Sequence, residues 1–313
     1  MEPGLLKSAD WPLLIDIYFF LAGMAGGAFV MATIAHLLGG VRYRDVVRVG
    51  YYVAFLAIVP CPILLIVDLG LPTRFLHMLM VSKPSAAIGM DAVTVGPFHL
   101  KPYSPMNVGA WALLAFSACA FLTALDTFLE HRGRQSMPGL RLVVGLIGGV
   151  FGFFLAAYPG VLLGATARPL FVNAHWLGAL FLAIGASTGG AAIALILSLR
   201  GTATGEALSR VMRVTAFALV LQLVALILFV VSVKASGSAG LGKALGLLLA
   251  GPYSPMFWGG AVLVGVVVPL ALQFGGALKR RGPAMAGLAA VLVLAGGFIT
   301  KWVIIAAGQA GGT

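Results

Sequence analysis

The chain has 313 residues, of which 61% are hydrophobic and 9% are charged, and its formal net charge at pH 7 is +11. Soluble globular proteins are about 45–50% apolar and about 25% charged, so this composition excludes a soluble enzyme, a disordered protein and a disulfide-stabilised secreted domain. A polytopic membrane protein remains. A nucleic-acid-binding role is excluded as well, because the basic residues stand singly or in threes between apolar runs.

Eight apolar runs are long enough to cross a bilayer, which takes about 20 helical residues. The first run is too long for the core of a signal peptide, about 7–15 residues, so it is predicted to be a retained span. The alternating ten-residue segments of a membrane β-barrel do not occur in the sequence. The predicted spans 1 to 8 cover residues 12–38, 49–71, 106–129, 142–165, 173–199, 212–233, 255–278 and 285–307.

The distribution of basic residues predicts the orientation of these spans. Each loop that follows an odd-numbered span carries three basic residues. The remaining basic residues of the chain are spread over longer segments. Because short cytoplasmic loops are enriched in Lys and Arg, both termini are predicted to lie outside. The clustered residues are Arg42, Arg44, Arg48, Arg132, Arg134, Arg141, Arg200, Arg210, Arg213, Lys279, Arg280 and Arg281.

The longest loop joins spans 2 and 3 and covers residues 72–105. Long ordered loops are often functional, so it is a candidate docking surface for a partner outside the membrane. A passive connection is the equal alternative.

Two short motifs recur at a separation of about half the chain. Residues 102–106 and 252–256 both read Pro-Tyr-Ser-Pro-Met, and each copy stands just before a span. Gly-Gly-Ala at 26–28 in span 1 recurs at 189–191 in span 5. Four spans return the chain to its starting side, so the halves, about 1–165 and 166–313, are predicted to share one orientation. The predicted fold is a single all-α integral membrane domain built from two parallel four-helix bundles.

Glycines and prolines inside the spans predict local geometry. Glycine pairs four residues apart predict close helix packing, and they occur at 23 and 27, 145 and 149, and 185 and 189. Prolines within spans remove a backbone donor and predict kinks. These prolines are Pro60, Pro62, Pro159 and Pro269.

Ionisable groups in membrane helices are costly and are therefore functional candidates. With a rise of about 1.5 Å per residue, a set of polar groups falls in one layer near the outer ends of the spans. Alternatives remain for some of them: Lys301 could extend to the interface, and Asp68 could pair with Arg74 to close a helix end. Tyr158 could belong to the interfacial aromatic belt. The layer comprises Asp16, Tyr18, Asp68, Arg74, Tyr158, Arg168 and Lys301.

The inner half of the spans carries His36, Asp126 and Glu130. They are expected to be solvated at the interface, with a proton route as the alternative. The five histidines are scattered among helix ends and loops, and the two cysteines, Cys61 and Cys119, are far apart. We therefore expect no haem, iron–sulfur cluster or metal on this chain.

Five segments, taken together in their order and spacing, resemble the NrfD/PsrC family of polysulfide-reductase-like membrane subunits. They are distributed over spans 1 to 4 and 8, so the resemblance covers nearly the whole chain. The segments are 18–27, 64–75, 104–111, 158–165 with Arg168-Pro169, and 296–302 with 307–309.

The resemblance implies a quinone-reactive subunit of a bacterial or archaeal cell membrane, with both termini periplasmic. The quinone is menaquinone or ubiquinone. Electrons would pass between the quinone pool and an iron–sulfur partner of the four-cluster ferredoxin type, itself linked to a molybdopterin enzyme or a multihaem cytochrome. Tyr158 and Tyr18 occupy positions that touch the quinone in relatives, although Tyr18 stands where a relative has histidine. The loop between spans 2 and 3 is longer than is typical of the family.

On this hypothesis, Tyr158 and Tyr18 hydrogen-bond the quinone oxygens. Asp16 and Asp68 are the candidate proton relays, since burial brings a carboxyl group closer to proton exchange at neutral pH. The candidate groups for stabilising a quinol anion are Arg74, Arg168 and Lys301. Two alternatives remain: a transporter or proton channel without redox chemistry, and a structural anchor for a soluble redox enzyme.

Overall fold

The computed structural model describes residues 11–80, 93–166, 168–172, 174–201, 205–236, 239–274 and 277–311. Within these ranges, eight helices are long and apolar enough to cross a membrane, as predicted. The protein is an all-α integral membrane protein. Spans 1 to 8 are Leu13–Leu38, Arg44–Asp68, Pro105–His131, Pro138–Gly164, Leu177–Arg200, Gly205–Ala235, Met256–Phe274 and Gly282–Ala310. Two shorter helices, Pro169–Val172 and Ala239–Leu249, lie in the loops before spans 5 and 7.

Some helices extend beyond the predicted apolar runs. Span 2 begins at Arg44 rather than at residue 49, and span 6 begins at Gly205 rather than at residue 212. Each added segment is charged and carries an acidic residue in its first turn, Asp45 or Glu206. Carboxylates are favourable at helix N-termini because of the helix dipole. The helices therefore continue through a polar stretch that hydropathy alone assigned to loops.

The first and last spans meet at one end of the bundle, which we call the terminal end. The Gln309 side chain accepts a hydrogen bond from the Trp11 backbone N–H at 2.7 Å and donates one to the Trp11 carbonyl at 3.0 Å. The opposite end of the bundle carries the described arginines of the loops that follow odd-numbered spans. We call it the basic end.

Spans 1 and 5 cross in backbone contact at the two Gly-Gly motifs. A Cβ atom added to Gly27 would lie 2.6 Å from the Gly185 carbonyl carbon, and one added to Gly189 would lie 2.5 Å from that of Gly27. Only glycine permits such an approach. Span 1 also packs on spans 2 and 4, and span 5 on spans 6 and 8. The division into two parallel bundles stays a prediction.

The prolines act differently at different positions. Span 2 is interrupted at Val59, between the helices Arg44–Ile58 and Pro60–Asp68, where Pro60 supplies no backbone donor. Span 4 continues through Pro159 as one helix. Span 7 begins with a π-helical run, Met256–Val267, which the sequence did not predict.

The two copies of the repeated pentapeptide form the same turn. The Ser104 N–H donates to the Lys101 carbonyl, and the Ser254 N–H donates to the Gly251 carbonyl, both at 3.0 Å. A span begins directly after each turn. The proposed repeat halves stay a prediction.

The loop between spans 2 and 3 contains secondary structure that was not predicted. A 3₁₀ helix covers Pro72–Met78, and two antiparallel strands follow, β1 (Val93–Val95) and β2 (Phe98–Leu100). Gly96 turns the chain between the strands with a φ of +59°. Residues 81–92, which are part of the predicted docking surface, lie outside the described residues.

Span 3 fastens this hairpin to the membrane domain. The Asn107 side chain accepts a hydrogen bond from the Lys101 N–H at 2.7 Å and donates one to the Met78 carbonyl at 2.5 Å. The Trp111 indole donates to the His99 carbonyl at 2.9 Å. The hairpin therefore has a fixed position over one flank of spans 3 and 4.

Replacing Asn107 by alanine is expected to loosen the hairpin without unfolding the spans. Two hydrogen bonds would be lost, each contributing about 0.5–1.5 kcal/mol. Amide hydrogen exchange in residues 93–101 should therefore accelerate about tenfold or more. Thr94→Ala, at an exposed position of β1, serves as the control. Unchanged exchange in the Asn107 variant would show that the side chain is not the anchor.

Candidate functional site

Tyr18 of span 1 and Tyr158 of span 4 are both buried inside the bundle. Their exposed fractions are 3% and 5%. Tyr18 is within electrostatic range of Tyr158 and of Cys61, which lies in the second half of span 2. The two tyrosines predicted to share a ligand are therefore both buried near the terminal end, on spans 1 and 4, which pack against each other.

Tyr158 connects span 4 to the beginning of span 3. Its hydroxyl donates a hydrogen bond to the Pro105 carbonyl at 2.9 Å. Gly109, one turn further along span 3, leaves room for the ring, since a Cβ there would lie 2.8 Å from a ring carbon. Phe154 stacks on the other side, with ring centroids 5.4 Å apart. The hydroxyl can accept a further hydrogen bond or transfer its own to a ligand oxygen.

Asp16 lies on the opposite side of span 1 from Tyr18. Positions two residues apart in a helix point about 200° apart. Asp16 instead shares a face with Gly23, which contacts Lys301 of span 8. Asp16 is 3% exposed, and its Oδ1 has no hydrogen-bond partner among the described residues. The structure therefore does not bring Asp16 to the tyrosine pair.

Lys301 is fully buried between spans 1, 5 and 8. Its ammonium group donates to the Phe19 carbonyl at 2.7 Å and lies 5.0 Å from the centroid of the Phe181 ring. Its exposed fraction is 0%. The alternative in which this side chain extends to the membrane surface is therefore wrong.

Replacing Lys301 by methionine is expected to leave the thermal stability equal or higher. A buried cation with few partners carries a desolvation cost that apolar replacement removes. The Phe19 carbonyl keeps its own helical hydrogen bond, so no acceptor is left unpaired. The melting temperature of the detergent-solubilised protein tests this, with Lys234→Met at an exposed position as control. A fall of more than about 5 °C would mean that the ammonium group stabilises the fold, because about 1 kcal/mol shifts the melting temperature of a protein by a few degrees.

Arg168 belongs to a network that closes the terminal end. Its guanidinium donates to the Gln309 carbonyl at 2.7 Å, and its exposed fraction is 5%. Because the Gln309 side chain also binds Trp11, the network joins span 1, span 8 and the segment between spans 4 and 5.

Asp68 and Arg74 lie at the surface of the terminal end. Asp68 is the half-buried last residue of span 2, and Arg74 is exposed in the 3₁₀ helix. No ion pair joins them in the described part of the chain, so the expected helix-closing pair is not found. Asp68 shares a helix face with Cys61, because the two are seven residues apart.

Asp126 and Glu130 at the basic end are paired with arginine rather than solvated. Arg141, 7% exposed, lies 2.5 Å from Glu130 and 3.4 Å from Asp126. Glu130 also pairs with Arg44 at 2.6 Å. His36 is within electrostatic range of this cluster. A proton route from these groups stays a prediction.

The comparison with known protein families identifies the fold family. The sequence profile described as "Polysulphide reductase, NrfD" matches residues 2–311. The chain belongs to the NrfD family. Its eight spans are therefore those of an NrfD-family protein.

Three relatives of this NrfD-family chain carry informative names. A polysulfide reductase chain of Wolinella succinogenes is 27% identical over 313 residues, covering 96% of the present sequence and 93% of the relative. The NrfD homolog of Haemophilus influenzae is 25% identical over 318 residues, covering 96% of the present sequence and 94% of the relative. A selenate reductase subunit of Mesobacillus selenatarsenatis is 23% identical over 88 residues, covering 28% of the present sequence and 21% of the relative. Two of these names denote components of a reductase.

This NrfD-family chain has a cavity that sequence reasoning missed. A cavity of about 680 Å³ lies between the hairpin and spans 3 and 4, and its lining includes His99, Trp111, Ala115 and Phe154. His99 is 6% exposed, whereas its neighbours in β2 are exposed. The signal in the sequence was the strand-like alternation on both sides of Gly96-Pro97. It places every second side chain on one face of the hairpin.

An apolar groove of about 630 Å³ lies elsewhere, between spans 1, 4, 5 and 6. Its floor includes small residues such as Gly27 and Ala179. The tyrosine pair does not line it.

Proposed function

We propose that this chain exchanges electrons between the membrane quinone pool and an iron–sulfur subunit of a respiratory oxidoreductase. The family and the names of the relatives support a membrane subunit of such a complex. The observation that carries the quinone assignment is the buried pair of phenols, Tyr18 and Tyr158, near the terminal end. A quinone has two ring oxygens that need hydrogen-bond donors in an otherwise apolar environment, and this pair supplies two donors.

The chemistry of the substrate defines what the site must do. Reduction of a quinone to a quinol consumes two electrons and two protons, and oxidation releases them. The electrons pass to or from the iron–sulfur partner. Tyr158 and Tyr18 bind the ring oxygens, and a titratable group must carry protons to or from the aqueous surface. Menaquinone and ubiquinone both meet this description.

Asp68 is the better placed of the two candidate relays. It is half-buried at the end of span 2, on the helix face that carries Cys61. Asp16 is assigned a relay role on the other side of span 1, together with Lys301. Arg168 and Arg74 add positive charge near the terminal end, where they favour an anionic quinol.

The partner is assigned to the terminal end, which we orient toward the periplasm. The basic end would then face the cytoplasm, in agreement with the enrichment of cytoplasmic loops in arginine. The iron–sulfur subunit would connect to a molybdopterin enzyme or a multihaem cytochrome. No prosthetic group is assigned to this chain.

Purification of the tagged chain in mild detergent, with mass spectrometry of the co-purifying proteins, tests this function. Recovery of a cysteine-rich iron–sulfur subunit is the expected result, together with quinol-dependent turnover by the complex. A stable chain recovered alone, in membranes that contain its partners, would favour a transporter or channel. A complete complex without quinol-dependent turnover would leave only an anchoring role.

A further inference from the structure

The apolar groove between spans 1, 4, 5 and 6 opens toward the surrounding bilayer. Its walls carry large exposed side chains, such as Phe153 of span 4 and Phe217 of span 6, which are both more than half exposed. Its floor lies where spans 1 and 5 cross, and it includes Gly27 and Ala183. The volume of about 630 Å³ is within the range of ligand pockets, about 300–1,000 Å³.

The part of this groove next to the basic end has the length of one lipid leaflet. Along span 1, its lining extends from Leu38, at the basic end, to Gly26, near the middle of the span. At about 1.5 Å per residue, this distance is about 18 Å. One leaflet contributes about half of the bilayer's hydrocarbon thickness of about 30 Å. An acyl chain that enters from the basic end would therefore reach the crossing of spans 1 and 5.

The mouth of the groove at the basic end is positively charged. Arg210 is the one charged residue among the described residues that line the groove. Arg42 and Arg210 both pair with Glu206. Arg213 lies one turn further along span 6 and is exposed, with no ion pair in the described part of the chain. These three arginines therefore have a single carboxylate partner between them, and the mouth keeps an excess of positive charge.

The Arg210 guanidinium is held at the mouth and retains donors for a ligand. One of its nitrogens donates to Glu206 at 3.2 Å, and its central carbon lies 5.5 Å from the centroid of the Tyr43 ring, which also lines the groove. A guanidinium has five N–H donors in a planar fork that matches phosphate oxygens. The exposed Arg213 is costly next to hydrocarbon, and an anionic head group beside it would reduce that cost.

The shape of the groove favours a lipid chain over a protein helix as its occupant. Helices in membranes associate through small residues that let their backbones approach closely. Here the small residues Gly27 and Ala183 form the floor, whereas the exposed Phe153 and Phe217 rings form the walls. A helix is about 10–12 Å across with its side chains, but an acyl chain is only one carbon wide and can pass between these rings.

We infer that this groove binds an anionic phospholipid, with its phosphate at Arg210 and Arg213 and one acyl chain extending along spans 1 and 6 to Gly27. The lipid fills the space beside the crossing of spans 1 and 5, so its binding stabilises that contact. The site is distinct from the tyrosine pair, which does not line the groove. It does not depend on the proposed quinone chemistry.

Native mass spectrometry of the full-length chain in mild detergent, with the subunits that co-purify, tests the site. Dioleoylphosphatidylglycerol is the anionic probe, and dioleoylphosphatidylcholine is the zwitterionic comparison. The wild-type protein should retain the anionic lipid in preference. Arg210→Gln and Arg213→Gln should each raise its dissociation constant about fivefold, the effect of one basic residue near an anionic membrane surface. Arg132→Gln, an exposed arginine of the same end that does not line the groove, should leave it unchanged.

Two further variants separate direct binding from a structural effect. Glu206→Gln removes the carboxylate that competes for Arg210, so it should lower the dissociation constant. If the arginines acted only by pairing with Glu206, this variant would instead weaken binding. Ala35→Trp fills the groove below the head group and should abolish retention of the lipid. Val143→Trp, at an exposed position of span 4 outside the groove, is its control.

Photo-crosslinking in membranes provides a second measurement. Phosphatidylglycerol with a diazirine in its acyl chain should label peptides of spans 1 and 6. Excess unlabelled phosphatidylglycerol should compete with this labelling, whereas phosphatidylcholine should not. Equal retention of the two lipids, with unchanged binding in both arginine variants, would overturn the inference. Crosslinking of a photoreactive residue at position 35 to a second copy of the chain or to a partner helix would also overturn it, because the groove would then be a protein interface.

Discussion

Replacing Gly27 by valine is expected to abolish most of the folded protein. A Cβ at this position would meet the backbone of Gly185 and Ala186, with 2.6 Å to the Gly185 carbonyl carbon and 3.0 Å to the Ala186 Cα. The clash is with helix backbone, so it cannot be relieved by a change of rotamer. Overpacking in cores typically costs about 1–3 kcal/mol even where side chains can adjust. Here spans 1 and 5 must move apart along their whole contact.

Gly149→Val is the matched control for this substitution. Gly149 is also a helical glycine in a span, but a Cβ there meets nothing within 4 Å. Fluorescence-detected size-exclusion chromatography of membranes solubilised in mild detergent measures the folded fraction. The Gly27 variant should lose the monodisperse peak, and the Gly149 variant should keep it. If both variants elute as wild type, the central crossing does not hold spans 1 and 5 together.

The existence of the spans follows from the sequence, but their packing does not. The lipid environment requires long apolar helices, and hydropathy reports their number and approximate limits. Hydropathy misses the beginnings of spans 2 and 6, because the first helical turns there, at Arg44 and Glu206, are charged. The small-residue spacing predicts close packing at both Gly27 and Gly149. In the structure only Gly27 contacts another helix backbone, because spacing does not say which face meets a neighbour.

In the candidate site, too, some features can be predicted from the sequence and others depend on how the helices pack. Depth along a span can be counted from the sequence, and it predicts that Tyr18 and Tyr158 lie near one level. The direction around the helix can be counted too, and it separates Asp16 from Tyr18. Which neighbour each face meets depends on the crossing of spans 1 and 5, a contact between residues far apart in the chain. Lys301 of span 8 illustrates this, since the residues that it contacts, Phe19 and Phe181, lie in spans 1 and 5.

His99 could not be assigned from its position in a loop. Its burial depends on the anchoring of the hairpin by Asn107 and Trp111, which lie in span 3. The strand-like alternation of residues on both sides of Gly96 predicts a hairpin. It does not predict that one face of this hairpin covers spans 3 and 4. Side chains brought together by such a loop are visible only in the tertiary structure.

Replacing Tyr158 by phenylalanine is expected to lower quinol-linked turnover at least tenfold while the complex still assembles. The substitution removes one hydroxyl group and keeps the ring, so the stacking on Phe154 is retained. The Pro105 carbonyl loses the bond at 2.9 Å, but it lies in the first turn of span 3 and keeps its helical partner. The expected cost in stability is therefore small, about 1 kcal/mol.

The turnover of the Tyr158 variant should be compared with that of Tyr253→Phe. Tyr253 is the tyrosine of the second pentapeptide copy, stands just before span 7 and packs on Trp302. Its phenylalanine variant should keep full activity. Electron transfer between the partner subunits, driven by a soluble dye, should be unchanged in both variants, which separates loss of quinone chemistry from loss of assembly. Loss of a hydroxyl that stabilises the reacting quinol only in the transition state is expected to lower kcat rather than raise KM. Full quinol turnover in the Tyr158 variant would remove the phenol from the mechanism and leave Tyr18 as the remaining donor.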